Sequence, residues 1–200
     1  AAAALGAAAG LVAAQDAPPL KGTVFLKGQF LVAAPKMADP RFAETVIFMI
    51  DHDANGAMGL IVNKTLGKGR LADLLKAFGA KLDDGHPAAA QTIRLGYGGP
   101  VERTAAFILH SSDYRDGGTL RVTDSVSMSR QVEVLRAIAQ GQGPKRLMFA
   151  LGYAGWAPRQ LEGELARDDW LTAPADVELI FGEDQDAKWP AAIKRAGVKL

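Results

Sequence analysis

The sequence predicts an α+β fold, one domain built on a mixed, largely antiparallel sheet with helices packed against it. A continuous apolar run, Thr45 to Asp51, is followed by turn residues and a second apolar run, Ala57 to Val62. Strand-like segments dominate the first part of the chain, and helical periodicities alternate irregularly with strands afterwards. The regular strand–helix–strand alternation of an all-parallel sheet is absent, which leaves a mixed sheet. At 200 residues the chain has the length of a single ordinary domain.

The first residues stand apart. Ala1 to Ala14 hold nine Ala, two Gly, two Leu, one Val and no charge. This pattern is similar to the apolar core of a secretory signal peptide, and Val12-Ala13-Ala14 before Gln15 fits a small-residue cleavage site. The run is too short for a membrane span of about 20 residues, so no transmembrane segment is expected. Gln15 to Pro19 reads as a linker, and the folded domain is expected over 20–200. The mature chain is expected to begin near Gln15 and to be exported or periplasmic. The alternative is an ordinary extension on a cytoplasmic protein.

Thr23 to Ala33 is rich in β-favouring residues and ends at Pro35, which lacks the ladder N–H. Met37 to Pro40 is a turn, and Thr45 to Asp51 a strand buried on both faces. Asn55-Gly56 predicts a hairpin with a type I′ turn into the strand Ala57 to Val62. Leu71, Leu74, Leu75 and Phe78 form one face of a helix over Arg70 to Phe78, with Gly79 as its terminator. Residues 81–91 read as a loop. Thr92 to Tyr97 and Ala105 to Ser111 read as strands, and Asp113 to Gly118 as another loop. A second helix is expected around Val132, Leu135 and Ala139, with Ser129 as N-cap and Gly141 as terminator. Arg146 to Gly152 is a buried strand, and Pro158 opens a helix whose buried row is Leu161 and Leu165. Asp176 to Phe181 reads as a last strand and Trp189 to Ala196 as a short closing helix.

Composition bounds the function. The chain is 48% apolar and 22% charged, and its net charge is +1 from 23 basic and 22 acidic residues. That balance argues against strong nucleic-acid binding, which needs a concentrated basic face. Lys188, Lys194, Arg195 and Lys199 cluster near the end, where such charges complement a helix dipole. Cysteine is absent, so disulfides, thiolate nucleophiles and cysteine-bound metals are excluded.

The polar motifs give candidates without completing a reaction. His52, His86 and His110 are the only histidines, and their spacing predicts no metal site. His110-Ser111-Ser112-Asp113 suggests a nucleophile beside a base, but neighbours on a strand point to opposite faces. No Gly-x-Ser-x-Gly elbow occurs. Gly96 to Pro100 matches neither phosphate-loop fingerprint, so close packing is the first reading of its glycines. The other reading is a ligand cleft lined by Gly98 and Gly99, into which Asn63, Arg103 and His110 project. Gly152 to Trp156 reads as a strand-to-helix turn with Trp156 at its mouth, packed on the helix or lining the same cleft. In Asp39-Pro40-Arg41-Phe42, Arg41 is expected to pair a carboxylate or cap a carbonyl and Phe42 to enter the core, a solvent-facing recognition role being the alternative.

The stretch from Gly28 to Asn63, together with Tyr97 to Val101, Phe107 to Ser111 and Ala150 to Trp156, resembles the YqgE/AlgH family. These are bacterial proteins grouped under a transcriptional-regulator label. The resemblance spans Leu26 to Gly182 and implies a bifurcated mixed sheet curled into a partial barrel with flanking helices. It implies no catalytic residue or cofactor. Members usually begin near the equivalent of Lys27 and look cytoplasmic, so the Ala-rich segment is a departure. The expectation is a monomeric, non-enzymatic regulatory or binding module acting through a protein or small-molecule partner. The alternative is an unrecognised hydrolase-like enzyme using a cleft near Asn63, Arg103 and His110.

Overall fold

The structure, a computed structural model, describes residues 24–83 and 85–198. The Ala-rich segment and the expected processing point at Gln15 lie outside the described residues. In chain order the elements are β1 (Gln29–Ala33), β2 (Val46–Asp53), β3 (Gly56–Ile61), β4 (Thr65–Arg70), α1 (Leu71–Ala77), β5 (Thr92–Tyr97), β6 (Val101–Ser111), β7 (Leu120–Arg121), β8 (Val126–Ser129), α2 (Glu133–Ala139), β9 (Leu147–Trp156), α3 (Gln160–Ala166), β10 (Trp170–Pro174), α4 (Val177–Phe181) and α5 (Lys188–Arg195).

The ten strands form one sheet in the order β10-β1-β2-β3-β9-β6-β8-β7, with β5 also on β9 and β4 on β5. Among the described residues only the β5–β9 pair is parallel. The sheet is mixed, largely antiparallel and curled into a half-barrel, with five helices around it among the described residues. It bifurcates on β9. Phe149 to Leu151 pair with β5, while Ala154 to Trp156 pair with β3 on the same side. β6 runs along the opposite side, pairing Ala106 to His110 with Leu151 to Leu147.

At the fork the chain passes through Gly98 and Gly99. The Gly98 amide donates to the Leu151 carbonyl at 2.8 Å, and the Gly98 carbonyl accepts from Ile61 at 2.9 Å. A Cβ on Gly98 would strike the Gly152 carbonyl, and one on Gly99 would strike the Tyr153–Ala154 backbone. Glycine is required there because three backbones meet without room for a side chain.

Three apolar clusters hold the sheet. On one face of the sheet, Phe30, Phe48, Leu60, Phe107 and Ala150 pack on Ile180 of α4 and Ile193 of α5. On the other face, Ile47, Met49, Trp156 and Trp170 pack on Leu161 of α3. Ile93, Ile108 and Phe149 pack under Leu71 and Leu75 of α1 and Val134 and Leu135 of α2. Val46 to Ile50 are all fully buried, because both faces of β2 are covered. Each such large side chain contributes about 1.5–3 kcal/mol through burial.

Several sequence expectations are corrected. The hairpin forms, but its loop is Ala54-Asn55, since Asp53 pairs with Gly56. Asp53 Oδ1 accepts from the Asn55 amide at 2.7 Å, and Gly56 takes the positive φ of 133° in place of a type I′ pair. Asp176 to Phe181 is the capped helix α4 instead of a strand. The Asp176 carboxylate accepts from the Glu178 and Leu179 amides at 2.8 and 3.1 Å, which starts a helix. Ser129 does not cap α2; it ends β8, buried, and Val132 is the N-cap. Gly152 to Trp156 continues β9, so the turn into α3 is made by Ala157 to Arg159, with Arg159 left-handed at φ 65°. β4 and β10 occupy segments that the sequence reading left unassigned.

Candidate functional site

Two polar assemblies share one end of the sheet. The first surrounds His110, which is 0% exposed on β6. The Ser111 carbonyl can only accept, so Nδ1–H donates to it at 2.9 Å. Nε2 then accepts, and the Ser129 hydroxyl lies 3.2 Å away. Ser129 sits there because β8 pairs with β6, setting Ser127 opposite His110 and Ser129 opposite Ile108. The Ser129 hydroxyl also lies 3.2 Å from Thr119 Oγ1, which donates to Asp116 Oδ1 at 2.9 Å. Tyr114 donates to Asp116 Oδ2 at 3.1 Å and sets its ring edge against the imidazole at 5.7 Å.

Titration in this network follows burial and hydrogen bonding. Burial pushes the His110 pKa below its usual value, opposed by the Ser111 carbonyl and by Asp116 and Asp113. Burial therefore favours the neutral imidazole. Burial, reinforced by Asp116, raises the Tyr114 phenol to about 12. Burial alone would raise Asp116, but donation from Thr119, Gly118 and Tyr114 outweighs it and holds the carboxyl low. Ser129 and His110 have the spacing of a nucleophile and base, yet Ser129 is only 1% exposed. No substrate reaches this pair without opening the core.

The second assembly is open. A cavity of 530 Å³ lies between β5, the 141–146 loop and the end of α4, and is lined by Arg94, Lys145, Arg146, Glu178 and Glu183 among others. The Arg94 guanidinium donates to the carbonyls of Gly182 at 2.5 Å and Phe181 at 3.4 Å. Behind it Lys188, 1% exposed, donates to Val62 and Ile180 carbonyls at 2.8 and 3.1 Å. Two cations thus gather on carbonyls around the C-terminus of α4, where its dipole favours positive charge. Lys188 lies inside the fold, beyond the solvent-facing, dipole-complementing role expected from the basic tail.

This pair is incompletely compensated. Neither cation makes an ion pair among the described residues, and Arg94 Nε is buried without a hydrogen-bond partner. Burial lowers the Lys188 pKa to about 7, with the Arg94 charge adding to the effect. Burial also lowers Arg94, which Glu183 opposes. The cavity rim is tied to the strand carrying His110. Ser111 Oγ accepts from the Arg146 amide at 3.1 Å, and Asp113 accepts from the Lys145 amide at 3.3 Å. Ser111 and Asp113 of the suggested nucleophile motif therefore position a basic rim.

The other candidate residues are spread out. Asn63 bridges two backbones, accepting from Val46 N and donating to the Glu44 carbonyl, both at 2.8 Å. It lines a separate 510 Å³ cavity with Glu44, Lys64, Gln185 and Trp189. Gly98 and Gly99 occupy the fork, and Arg103 is exposed on β6 beside Gly152. His110 pairs with Leu147, so along β9 it lies about 16 Å from the Gly152 level at about 3.3 Å per residue. Trp156 donates to Glu164 Oε2 at 2.8 Å, the same oxygen that accepts from Trp170 at 2.8 Å. It fastens α3 to the sheet. The structure brings together Gly98, Gly99 and the Arg103 backbone at the fork, and holds Asn63, His110 and Trp156 in three other places.

Of the remaining motif residues, Arg41 pairs Asp39 at 2.6 Å, and Phe42 packs edge-on to Trp170 at 5.4 Å. His52 accepts from the Leu26 amide at 3.1 Å and contacts Glu162 at 3.3 Å, as a rim histidine with structural partners. Among the described residues no group of three or more His, Asp or Glu side chains converges on a metal position. No described helix is long and apolar enough to cross a membrane.

A family model described as AlgH-like matches residues 30–200. The chain belongs to the AlgH-like family. A UPF0301 protein of Methylococcus capsulatus is 48% identical over 180 residues, which cover 90% of this chain and 96% of that protein. A UPF0301 protein of Rhodospirillum rubrum is 44% identical, covering 87% of this chain and 88% of the relative. The solution structure of the AlgH protein from Pseudomonas aeruginosa superposes with a TM-score of 0.73 at 39% identity, covering 91% of this chain and 94% of that one. A crystal structure of a Corynebacterium diphtheriae protein shares the fold, with a TM-score of 0.65 at 22% identity and coverage of 85% and 86%. AlgH-like membership thus agrees with the curled, bifurcated sheet.

Sequence reasoning missed Arg94, Lys188 and Ser129 as members of polar assemblies. The Lys145-Arg146 pair ahead of a buried strand was the one visible signal of the rim. Arg94 alternates with apolar neighbours on β5 like any strand residue, and its carbonyl partners are 87 and 88 positions away. Ser129 meets His110 only through the β6–β8 register.

Proposed function

We propose that this AlgH-like chain is a non-enzymatic binding module that works through a small-molecule or protein partner, with regulation as its output. One contrast supports the reading. The Ser129–His110 pair is closed off at 1% and 0% exposure, while the 530 Å³ cavity around Arg94 is open. A cavity of that size is in the range of small-molecule sites, about 300–1,000 Å³. Partner contact at its mouth then reads out occupancy. Direct DNA binding is the weaker form of regulation, because a net charge of +1 leaves few phosphates neutralised. The Ala1 to Ala14 run favours a mature chain outside the cytoplasm, which would exclude transcription itself. Mass spectrometry of the native protein checks this: an intact N-terminus on a cytoplasmic species overturns the location.

A thermal-shift screen with parallel turnover assays tests the binding reading. Ligands that bind only the folded state raise the midpoint in proportion to occupancy. The expected result is stabilisation by a ligand that is recovered unchanged. Saturable hydrolysis of any ester or phosphoester that is lost in His110→Ala would overturn it.

A further inference from the structure

We propose that the cavity between β5, the 141–146 loop and the end of α4 is an oxyanion site that takes the phosphate or carboxylate group of a small molecule. This rests on the binding-module reading and names the ligand chemistry of the same cavity. Arg94 is the floor. Its guanidinium is fixed by the Gly182 and Phe181 carbonyls, while its Nε is buried out of ligand reach and unpartnered, so it is the guanidinium's charge that the cavity presents. Lys188 stands behind it with two carbonyl partners and no carboxylate. A desolvated cation without an ion-pair partner is unfavourable, so an arriving anion gains energy from the half-buried Arg94 on the cavity wall, and Lys188 behind it adds to this when it is protonated.

The rim supplies further positive charge on a fixed backbone. Arg146 is held by Ser111 through its amide, leaving the side chain to face the cavity. It pairs there with Glu178 at 2.5 Å, with exposures of 43% and 76%. A pair that exposed is weak, and an oxyanion can replace Glu178 on the guanidinium. Lys145 adds a flexible ammonium on the same edge. Glu178 and Glu183 partly offset these charges and select against ligands of high negative charge that lack a matching shape. The site is a concavity, whereas a nucleic acid needs an extended basic track.

The experiment is an amide chemical-shift titration of the isotope-labelled protein with inorganic phosphate at fixed ionic strength, with citrate and acetate as parallel arms. Saturable shifts confined to residues 91–94, 143–147 and 181–183 are expected. Preference for phosphate assigns a phosphorylated ligand, and preference for citrate assigns a carboxylate. Arg94→Gln is expected to weaken binding about tenfold or more through loss of a charge-assisted hydrogen bond. Since Arg94 also supports α4, the doubly substituted Lys145→Gln, Arg146→Gln protein provides a variant that alters only the exposed rim. It should keep its fold and still bind more weakly. Shifts that track ionic strength alone, or equal binding by that double variant, overturn the proposal. Displacement of phosphate by duplex DNA at physiological salt overturns it in favour of a nucleic-acid site. Phosphate binding accompanied by phosphoester turnover would instead sink the non-enzymatic reading and leave the oxyanion site standing.

Discussion

The His110 network and the Arg94 cavity are neighbours joined by Ser111 and Asp113, yet they treat polar groups in opposite ways. Around His110 each ring nitrogen has a partner and water is excluded. Around Arg94 one guanidinium nitrogen lacks a partner, the buried Lys188 stands behind it, and the cavity beside Arg94 is open. A satisfied buried network rigidifies a fold, whereas an unsatisfied group beside a cavity is where a ligand gains binding energy. The residues most suggestive of catalysis in the sequence belong to the satisfied side. Those that line the open cavity looked ordinary.

Removing the imidazole should produce the largest effect. His110→Ala leaves a cavity and strands Ser129 and the Ser111 carbonyl, and is expected to destabilise by about 2–4 kcal/mol. Urea denaturation measures it. Phosphate binding should survive under native conditions; its loss without destabilisation would merge the two regions into one site.

Arg94→Met should come next, at about 1–3 kcal/mol, because it leaves the Phe181 and Gly182 carbonyls short of donors. Hydrogen exchange should report faster opening of α4 with β5 unaffected. Equal loss of protection throughout the sheet would show that the cavity is part of the rigid core.

Proton linkage separates the regions by pH window. His110 is a base whose folded pKa is depressed by burial, so the unfolded chain binds its proton more readily. Its contribution is present above the unfolded value of about 6.5 and is lost as pH falls below that. His110→Phe should flatten the acid slope of stability. Lys188, depressed by burial to about 7, acts at higher pH. The unfolded chain holds more protons between pH 7 and about 10.4, so stability should rise across that interval, and Lys188→Met should remove the rise. Occupancy of the cavity by phosphate should also reduce it, because an anion favours the charged ammonium.

Arg146→Ala should have the smallest effect on stability, within about 0.5 kcal/mol, since its partner Glu178 is largely exposed. The same variant should bind phosphate measurably less well by titration. A large drop in melting temperature would place Arg146 with the structural residues.

Local signals in the sequence located the elements better than they located the sites. The apolar run Val46–Ile50 and the helix face Leu71, Leu75 were legible because burial imposes periodicity within one element. Asp176 to Phe181 was misread because the five residues Val177–Phe181, with their Val and Ile, fit a strand as well as a helix turn. There the Asp176 cap decided the outcome. β4 was missed because its glycines and exposed residues give no alternation. The curl and fork entered only through family resemblance. The pairing of His110 with Ser129, and of Arg94 with Gly182, depends on strand register and chain return over long separations. No spacing rule within a segment records them.

The most direct test of binding against catalysis is labelling with a fluorophosphonate probe, read by peptide mass spectrometry on the folded protein. Such probes modify serines that are both accessible and activated by a base. The sealed geometry around His110 predicts no modification of Ser129 under native conditions, and Ser111, whose hydroxyl donates to Asp113 and not to the imidazole, should stay unmodified as well. Stoichiometric labelling of Ser129 that disappears in His110→Ala would contradict the account and place a working active site where the structure shows a closed core.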